Sequence, residues 1–199
     1  MPHIELPPLP GMVGLLAAYP ETAGALNGLA ETLLRGPSPL TPAQRETIAA
    51  HVSRGNDCTF CAETHGAVAR RLAGAAADGE GADSEGADSE GADSEGADGA
   101  GGGGVGGGGA DGGGGGELME ALLALADKVR VSGRAVTGDD VERARAAGAD
   151  DRTVHDTVLI AAAFSMFNRY VDGLGTLAPG EPAHYERHAG FLAERGYLT

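Results

Sequence analysis

The sequence predicts an all-α protein interrupted by one long low-complexity insert. Three observations carry that prediction. Apolar residues recur at helical spacing along most of the chain, while strand-like alternation is scarce. Helix start and stop residues punctuate these segments at regular intervals. Tryptophan is absent and the aromatics are four Phe and four Tyr, so Ala, Leu and Val must fill the core. Small side chains of that kind favour close helix packing over a sandwich of bulky strands.

The elements follow in order. Leu15 to Leu34 is apolar at helical spacing and stops before Gly36-Pro37. Thr41-Pro42-Ala43-Gln44 starts a second helix with a Thr N-cap, a first-turn proline and a capping-box Gln. That helix runs to about Arg54, with Gly55 as its C-cap. Asn56 or Asp57 caps the next helix, from Cys58 to about Ala76. Glu117–Val131 carries leucines at 118, 122 and 125 and ends before Gly133. Thr137-Gly138-Asp139-Asp140 opens another helix, closed by Gly148. Asp150 or Asp151 opens a long helix reaching Asp172, and a last helix lies near Pro182–Arg195. Within the long helix, Val158 to Phe164 is apolar nearly all round, which predicts burial at the domain centre or in a subunit interface. With so few large side chains in the domain, an interface is favoured, and hence a homo-oligomer. Asn168 and Arg169, just after this run, read as capping the core or an interface, or as lining a pocket. His155-Asp156 reads as a local or intersubunit hydrogen-bonding pair, and His51, His184 and His188 carry no pattern.

Residues 78–116 are unlike the rest. They repeat Gly-Ala-Asp-Ser-Glu three times and then become nearly pure glycine. This segment holds 19 of the 35 glycines and ten acidic residues with no basic one, so the net charge of −15 falls to −5 for the other 160 residues. Too little apolar surface is present to offset the entropy of ordering it, so it is expected to be disordered. It need not split the fold, because loop-closure entropy rises by only about 0.6 kcal/mol per doubling of length. A Gly-rich chain of this size spans about 35 Å. The expectation is a single helical domain over 1–199 with this insert within it.

Charge and hydropathy exclude several classes of function. One lysine, and no dense Lys/Arg cluster, leaves nothing to track a phosphate backbone, so nucleic acid is not an expected partner. No basic region precedes an apolar run at the N-terminus, and the longest apolar run, Val158 to Phe167, is far short of a membrane span. A soluble cytoplasmic protein is expected. In a reducing compartment, two cysteines at close spacing are unsuited to a structural staple.

The chemistry lies in Cys58-Thr59-Phe60-Cys61-Ala62-Glu63-Thr64-His65, which holds both cysteines of the chain. Cys61 and His65 share a helix face at i and i+4, and Cys58 and Cys61 are close enough to form a small-loop disulfide. Gly55-Asn56-Asp57 joins two helices, so an antiparallel hairpin would bring Glu46 opposite His65. A carboxylate that orients an imidazole beside a thiol is an activated-nucleophile arrangement. Cysteine attacks as thiolate. The helix N-terminus favours an anion at Cys58, whereas a protonated His65 favours one at Cys61; physics alone leaves the choice of sulfur open. Two further readings stand beside this one: half of a zinc site, which lacks a second cysteine pair, and a pair of inert buried cysteines.

Glu46, eleven intervening residues, Cys58-x-x-Cys61, three residues and His65 together resemble the active-site pattern of the AhpD-like alkylhydroperoxidases, within the carboxymuconolactone decarboxylase superfamily. The flanks agree, from Leu40 to Glu46 and from His65 to Ala69. Ala147 to Asp151 and Phe167 to Gly175 are similar to the peroxidase-related branch. The resemblance spans about 30–75 and 117–199. It implies an AhpD-like all-α fold assembled into trimers or hexamers, and a peroxide-reducing thiol cycle without metal or haem. By family roles, Cys61 is the peroxidatic cysteine, Cys58 resolves it and donates a proton, and Glu46 and His65 form the proton relay. A hydroperoxide is the implied substrate, and a lipoyl or thioredoxin-like protein the implied reductant. The family's histidine just before the second cysteine is Phe60 here. Two alternatives remain in other classes: a general thiol–disulfide oxidoreductase, and a non-enzymatic zinc-binding or oligomeric scaffold.

Overall fold

The computed structural model describes residues 1–82 and 114–198. Among them are eight α-helices, one 3-10 turn and no strand, only an isolated bridge between Pro10 and Leu177. The all-α expectation holds. No described helix is long and apolar enough to cross a membrane.

The first helical segment is two helices, α1 (Gly11–Ala18) and α2 (Pro20–Arg35), where the periodicity predicts one. Pro20 is the reason. The residue before a proline is pushed out of the α region, and proline is suited to the first helical position. Tyr19 accordingly sits at φ −128° and ψ 67°.

Helix α3 (Pro42–Gly55) opens with the expected capping box, Gln44 N–H to Thr41 Oγ1 at 3.2 Å and Thr41 N–H to Gln44 Oε1 at 2.9 Å. Its end differs from expectation. The left-handed residue that closes it is Asp57, at φ 59°, not Gly55. Cys58 N–H bonds Ser53 O at 3.0 Å and Asp57 N–H bonds Arg54 O at 3.1 Å, the paired bonds of a Schellman turn. Aspartate tolerates this conformation better than most residues. Gly55 serves another purpose. Arg130 Nη1 donates to its carbonyl at 2.6 Å, and a Cβ there would lie 2.5 Å from Arg130 Nε.

Helix α4 (Thr59–Ala82) begins one residue later than expected, which leaves Cys58 in the N-cap position with its carbonyl accepting from Ala62 N–H at 2.9 Å. It runs past Ala76 to Ala82, and α5 (Gly114–Val131) begins before Glu117. Both helices therefore reach into the ends of the Gly/Asp-rich segment. The rest of the segment expected to be disordered, 83–113, lies outside the described residues.

A 3-10 turn (Gly133–Ala135) leads to α6 (Gly138–Ala146). Asp140 accepts from Thr137 N–H at 2.8 Å and from both reaches of Lys128 Nζ at 2.6 and 2.7 Å, which ties α6 to α5. Gly148, at φ 100°, closes α6 as expected. Asp150 caps α7 (Asp151–Gly173) by accepting from Thr153 N–H at 2.7 Å, and α8 (Pro182–Arg195) completes the fold.

Helix α7 is the centre. Ile160, Ala161, Phe164 and Phe167 pack on Leu33 and Leu34 of α2, on Ile48, Ala49 and Val52 of α3, and on Leu122 and Ala126 of α5. It is not buried all round. Leu159 and Met166 are 38% and 43% exposed, with Ala162 between them on the same outward face. A second cluster joins Leu15, Phe60, Val68, Val171 and Leu192 around the two cysteines.

Candidate active site

The α3–α4 hairpin sets two side chains facing each other. Glu46 Oε2 lies 2.7 Å from His65 Nδ1. Glu46 is 0% exposed. Its other oxygen is met by Arg35 Nη2 at 2.7 Å, an ion pair, and by the Tyr197 hydroxyl, which donates at 2.7 Å. Burial alone would raise the Glu46 carboxyl. The His65, Arg35 and Tyr197 contacts outweigh it and hold the group below the usual carboxylate range. A carboxylate at Nδ1 calls for Nδ1–H, which leaves Nε2 as the accepting nitrogen. The imidazole is further fixed by Phe164, edge-on at 4.6 Å between centroids.

The cysteines are both free and both buried, at 0% and 3% exposure for Cys58 and Cys61. They lie at the N-terminal end of α4, where the helix dipole favours an anion. The hydrogen bond with Cys58, and then burial, push the Cys61 thiol strongly upward. Once one sulfur of the pair is ionised, the other therefore keeps its proton. A hydrogen bond with Asn168 of α7 acts in the opposite direction on Cys61. Asn168 is itself held by the hairpin: Nδ2 donates to Ser53 Oγ at 3.0 Å, and Oδ1 accepts from Asn56 Nδ2 at 2.9 Å.

Cys61 and His65 open on a cavity of about 310 Å³, and Cys58 is not among the residues that line it. That volume is at the small end of the range for ligand pockets, roughly 300–1,000 Å³. The walls are mostly apolar: Met12, Val13 and Leu16 of α1, Leu26 of α2, Phe60 of α4, Phe164 and Phe167 of α7, and Phe191 of α8. Phe60 packs against Gly11, which has φ 48° and where a Cβ would fall 2.2 Å from the ring. His188 of α8 is a second histidine on the cavity wall. Burial first, then the nearby His184 and His65, push its pKa below the ordinary value, which keeps it neutral near pH 7.

All four residues singled out in the sequence, Glu46, Cys58, Cys61 and His65, thus converge at one place. Four others belong to it that the pattern does not point to. Arg35 lies at the end of α2, Tyr197 beyond α8, and His188 on α8 without any motif around it. Asn168 read as a core cap or a pocket residue, and it touches both the hairpin and a thiol. Among the described residues, no group of three or more His, Cys, Asp and Glu side chains is placed to hold a metal ion. His155 and Asp156 form the expected local pair, Nδ1 to Oδ1 at 2.9 Å.

Comparison with known proteins concerns the fold and one segment of the chain. Residues 20–78 match the carboxymuconolactone decarboxylase family. Two solved structures share the fold. One is an uncharacterized peroxidase-related protein from Silicibacter sp. TM1040, 23% identical, with a TM-score of 0.60 over 87% of this chain and 78% of that one. The other, from Ralstonia eutropha JMP134, is described as an alkylhydroperoxidase AhpD core and an uncharacterized peroxidase-related protein. It is 22% identical, with a TM-score of 0.63 over 91% of this chain and 81% of that one. No curated protein matches the chain. Glu46, Cys58, Cys61 and His65 all lie inside the segment that matches the carboxymuconolactone decarboxylase family, and the fold around them is AhpD-like.

Proposed function

We propose that the protein is a thiol-dependent peroxidase that reduces hydroperoxides by cycling Cys58 and Cys61 between dithiol and disulfide. The observation that carries this reading is the placement of Cys61 and His65 on one apolar cavity wall, with the buried Glu46 behind the imidazole. Access selects Cys61 as the attacking sulfur, because Cys58 does not line the cavity. Its raised pKa opposes attack and is relieved when its proton passes to Cys58 or, by way of the accepting nitrogen, to His65.

The cycle balances. The Cys61 thiolate attacks the terminal oxygen of R–O–O–H, the O–O bond breaks, and the departing alkoxide takes the Cys58 proton and leaves as alcohol, which leaves Cys58 as thiolate. Cys61 becomes a sulfenic acid. The Cys58 thiolate then attacks the Cys61 sulfur, and the displaced hydroxide takes a proton and leaves as water. Two thiols have become one disulfide and the peroxide has become alcohol and water. An external dithiol, such as a lipoyl or thioredoxin-like protein, returns the pair to its reduced form. The outward Leu159–Ala162–Met166 face of α7 supports assembly into a homo-oligomer.

The test is the Cys58→Ser variant treated with hydroperoxide. It should accumulate a sulfenic acid on Cys61, trapped by a dimedone-type reagent and located by peptide mass. Absence of any adduct at Cys61, in protein whose thiol is titratable, would overturn the reading.

A further inference from the structure

We propose that Tyr197, which lies beyond α8 and 151 positions from Glu46 in sequence, is a positioning residue of the relay that fixes the Glu46 carboxylate so that His65 presents its accepting nitrogen to the cavity. Its consequence for turnover rests on the thiol-peroxidase reading above; its effect on the imidazole does not.

The geometry is specific. The Tyr197 hydroxyl donates to Glu46 Oε1 at 2.7 Å and lies 3.2 Å from His65 Nδ1. Oε1 is thereby shared by Tyr197 and Arg35, and Oε2 is left to His65 alone. Rotation of a carboxylate with Oε1 held by two donors and Oε2 by the imidazole would break all three contacts, so the imidazole it holds has one orientation. Tyr197 is suited to donate rather than accept. Burial and the Glu46 charge push its phenol well above the ordinary value, so it keeps its proton at neutral pH. A ring of this size would wall the cavity equally well as phenylalanine. What the hydroxyl adds is the bond to the carboxylate.

The chain after α8 is built to deliver this hydroxyl. Gly196 has φ 71°, and a Cβ there would fall 2.5 Å from Glu31 Oε2. That same oxygen accepts from Tyr197 N–H at 2.7 Å. One turn along α2, the Arg35 guanidinium lies over the Tyr197 ring, 5.3 Å from its centroid. Helix α2 thus grips the segment by its backbone at Glu31 and by its ring at Arg35, and Arg35 in turn pairs with the carboxylate that Tyr197 holds. Removing the hydroxyl leaves Oε1 short of a donor. The carboxylate then draws harder on Nδ1–H. The other groups that face His65 are Cys61 and His188 on the cavity wall; neither is altered by the change.

The experiment uses the full chain and Tyr197→Phe. Two quantities are read: the His65 Nδ1–H proton resonance by NMR, and the single-turnover rate of thiol oxidation by tert-butyl hydroperoxide. The Nδ1–H resonance should move downfield as its bond to Glu46 tightens, and the rate should fall about tenfold. Glu31→Ala, which frees the segment but keeps the hydroxyl, should reproduce both changes in smaller measure, and Glu31→Gln, which keeps an acceptor for Tyr197 N–H, should restore the wild-type values. An unchanged Nδ1–H resonance in folded Tyr197→Phe overturns the proposal. Should that variant not fold, an unchanged resonance in Glu31→Ala does the same. If the wild-type thiols ignore the peroxide, the peroxidase reading fails while the Nδ1–H resonance still decides the role of Tyr197.

Discussion

Glu46 and His65 meet across the α3–α4 hairpin, Oε2 to Nδ1 at 2.7 Å, although 19 positions separate them in sequence. The register that joins them is set at Asp57, whose left-handed backbone turns the chain. A helix advances about 100° per residue. One residue more or less between the two helices would therefore carry His65 off the face that meets Glu46.

Replacing Glu46 by Gln should destabilise the fold. The charge it removes is fully buried and is the partner of Arg35 and His65, so Arg35 is left without its anion. Breaking a buried pair from one side costs about 3–5 kcal/mol. Chemical unfolding of reduced protein measures this, and a change under about 1 kcal/mol would mean that the pair is not the anchor described.

The thiol pair should ionise in a coupled way. Cys58 is the first cause of the raised Cys61 pKa, through its hydrogen bond and its charge. Cys58→Ser removes the charge, so Cys61 should ionise at lower pH than in the wild type. Ultraviolet titration of the thiolate checks it, and a higher or equal value contradicts the coupling.

Stability should fall with acid in two steps. His188 is held below its ordinary value of 6.5, so the unfolded chain takes up a proton there first; the contribution is present above that pH and is lost as pH falls through the lower folded value. Glu46 is likewise held below 4.5, and its contribution is lost at still lower pH. Denaturant midpoints across pH should decline in that order, and His188→Gln should flatten the first step alone.

Gly11→Ala should damage the cavity from outside the relay. The backbone there is left-handed, and the new methyl would overlap the Phe60 ring, the nearest atom being at 2.2 Å. Strain and overpacking of this kind cost about 1–3 kcal/mol each. Thermal unfolding should show the loss, and Phe60→Ala in the same chain should recover part of it.

Local signals made most of the fold legible. Capping residues announce α3, α6 and α7 to within a residue or two, because a cap is decided by its own neighbours. Pro20 was in plain view, yet the apolar period runs through it and hides the break at Tyr19. Gly55 has the composition of a cap, while its actual role, room for Arg130, depends on a residue 75 positions away. The same division holds at the site. The Glu46, Cys58, Cys61 and His65 set is readable because it occupies one hairpin with fixed spacing. Arg35, Tyr197 and His188 come from elements whose approach to that hairpin is decided by tertiary packing alone. Phe60 is visible as a departure from the family pattern, but the histidine that α8 brings to the cavity wall, His188, is not.

The central claim is that the two thiols are a peroxide-reducing pair. Stopped-flow oxidation of the reduced protein by one equivalent of an apolar hydroperoxide tests it most directly, with thiols counted before and after. The account predicts rapid loss of both thiols, one alcohol released per peroxide, and a Cys58–Cys61 disulfide lighter by two hydrogens. Thiols that persist for minutes under stoichiometric peroxide, while exchanging readily with a small disulfide, would contradict it.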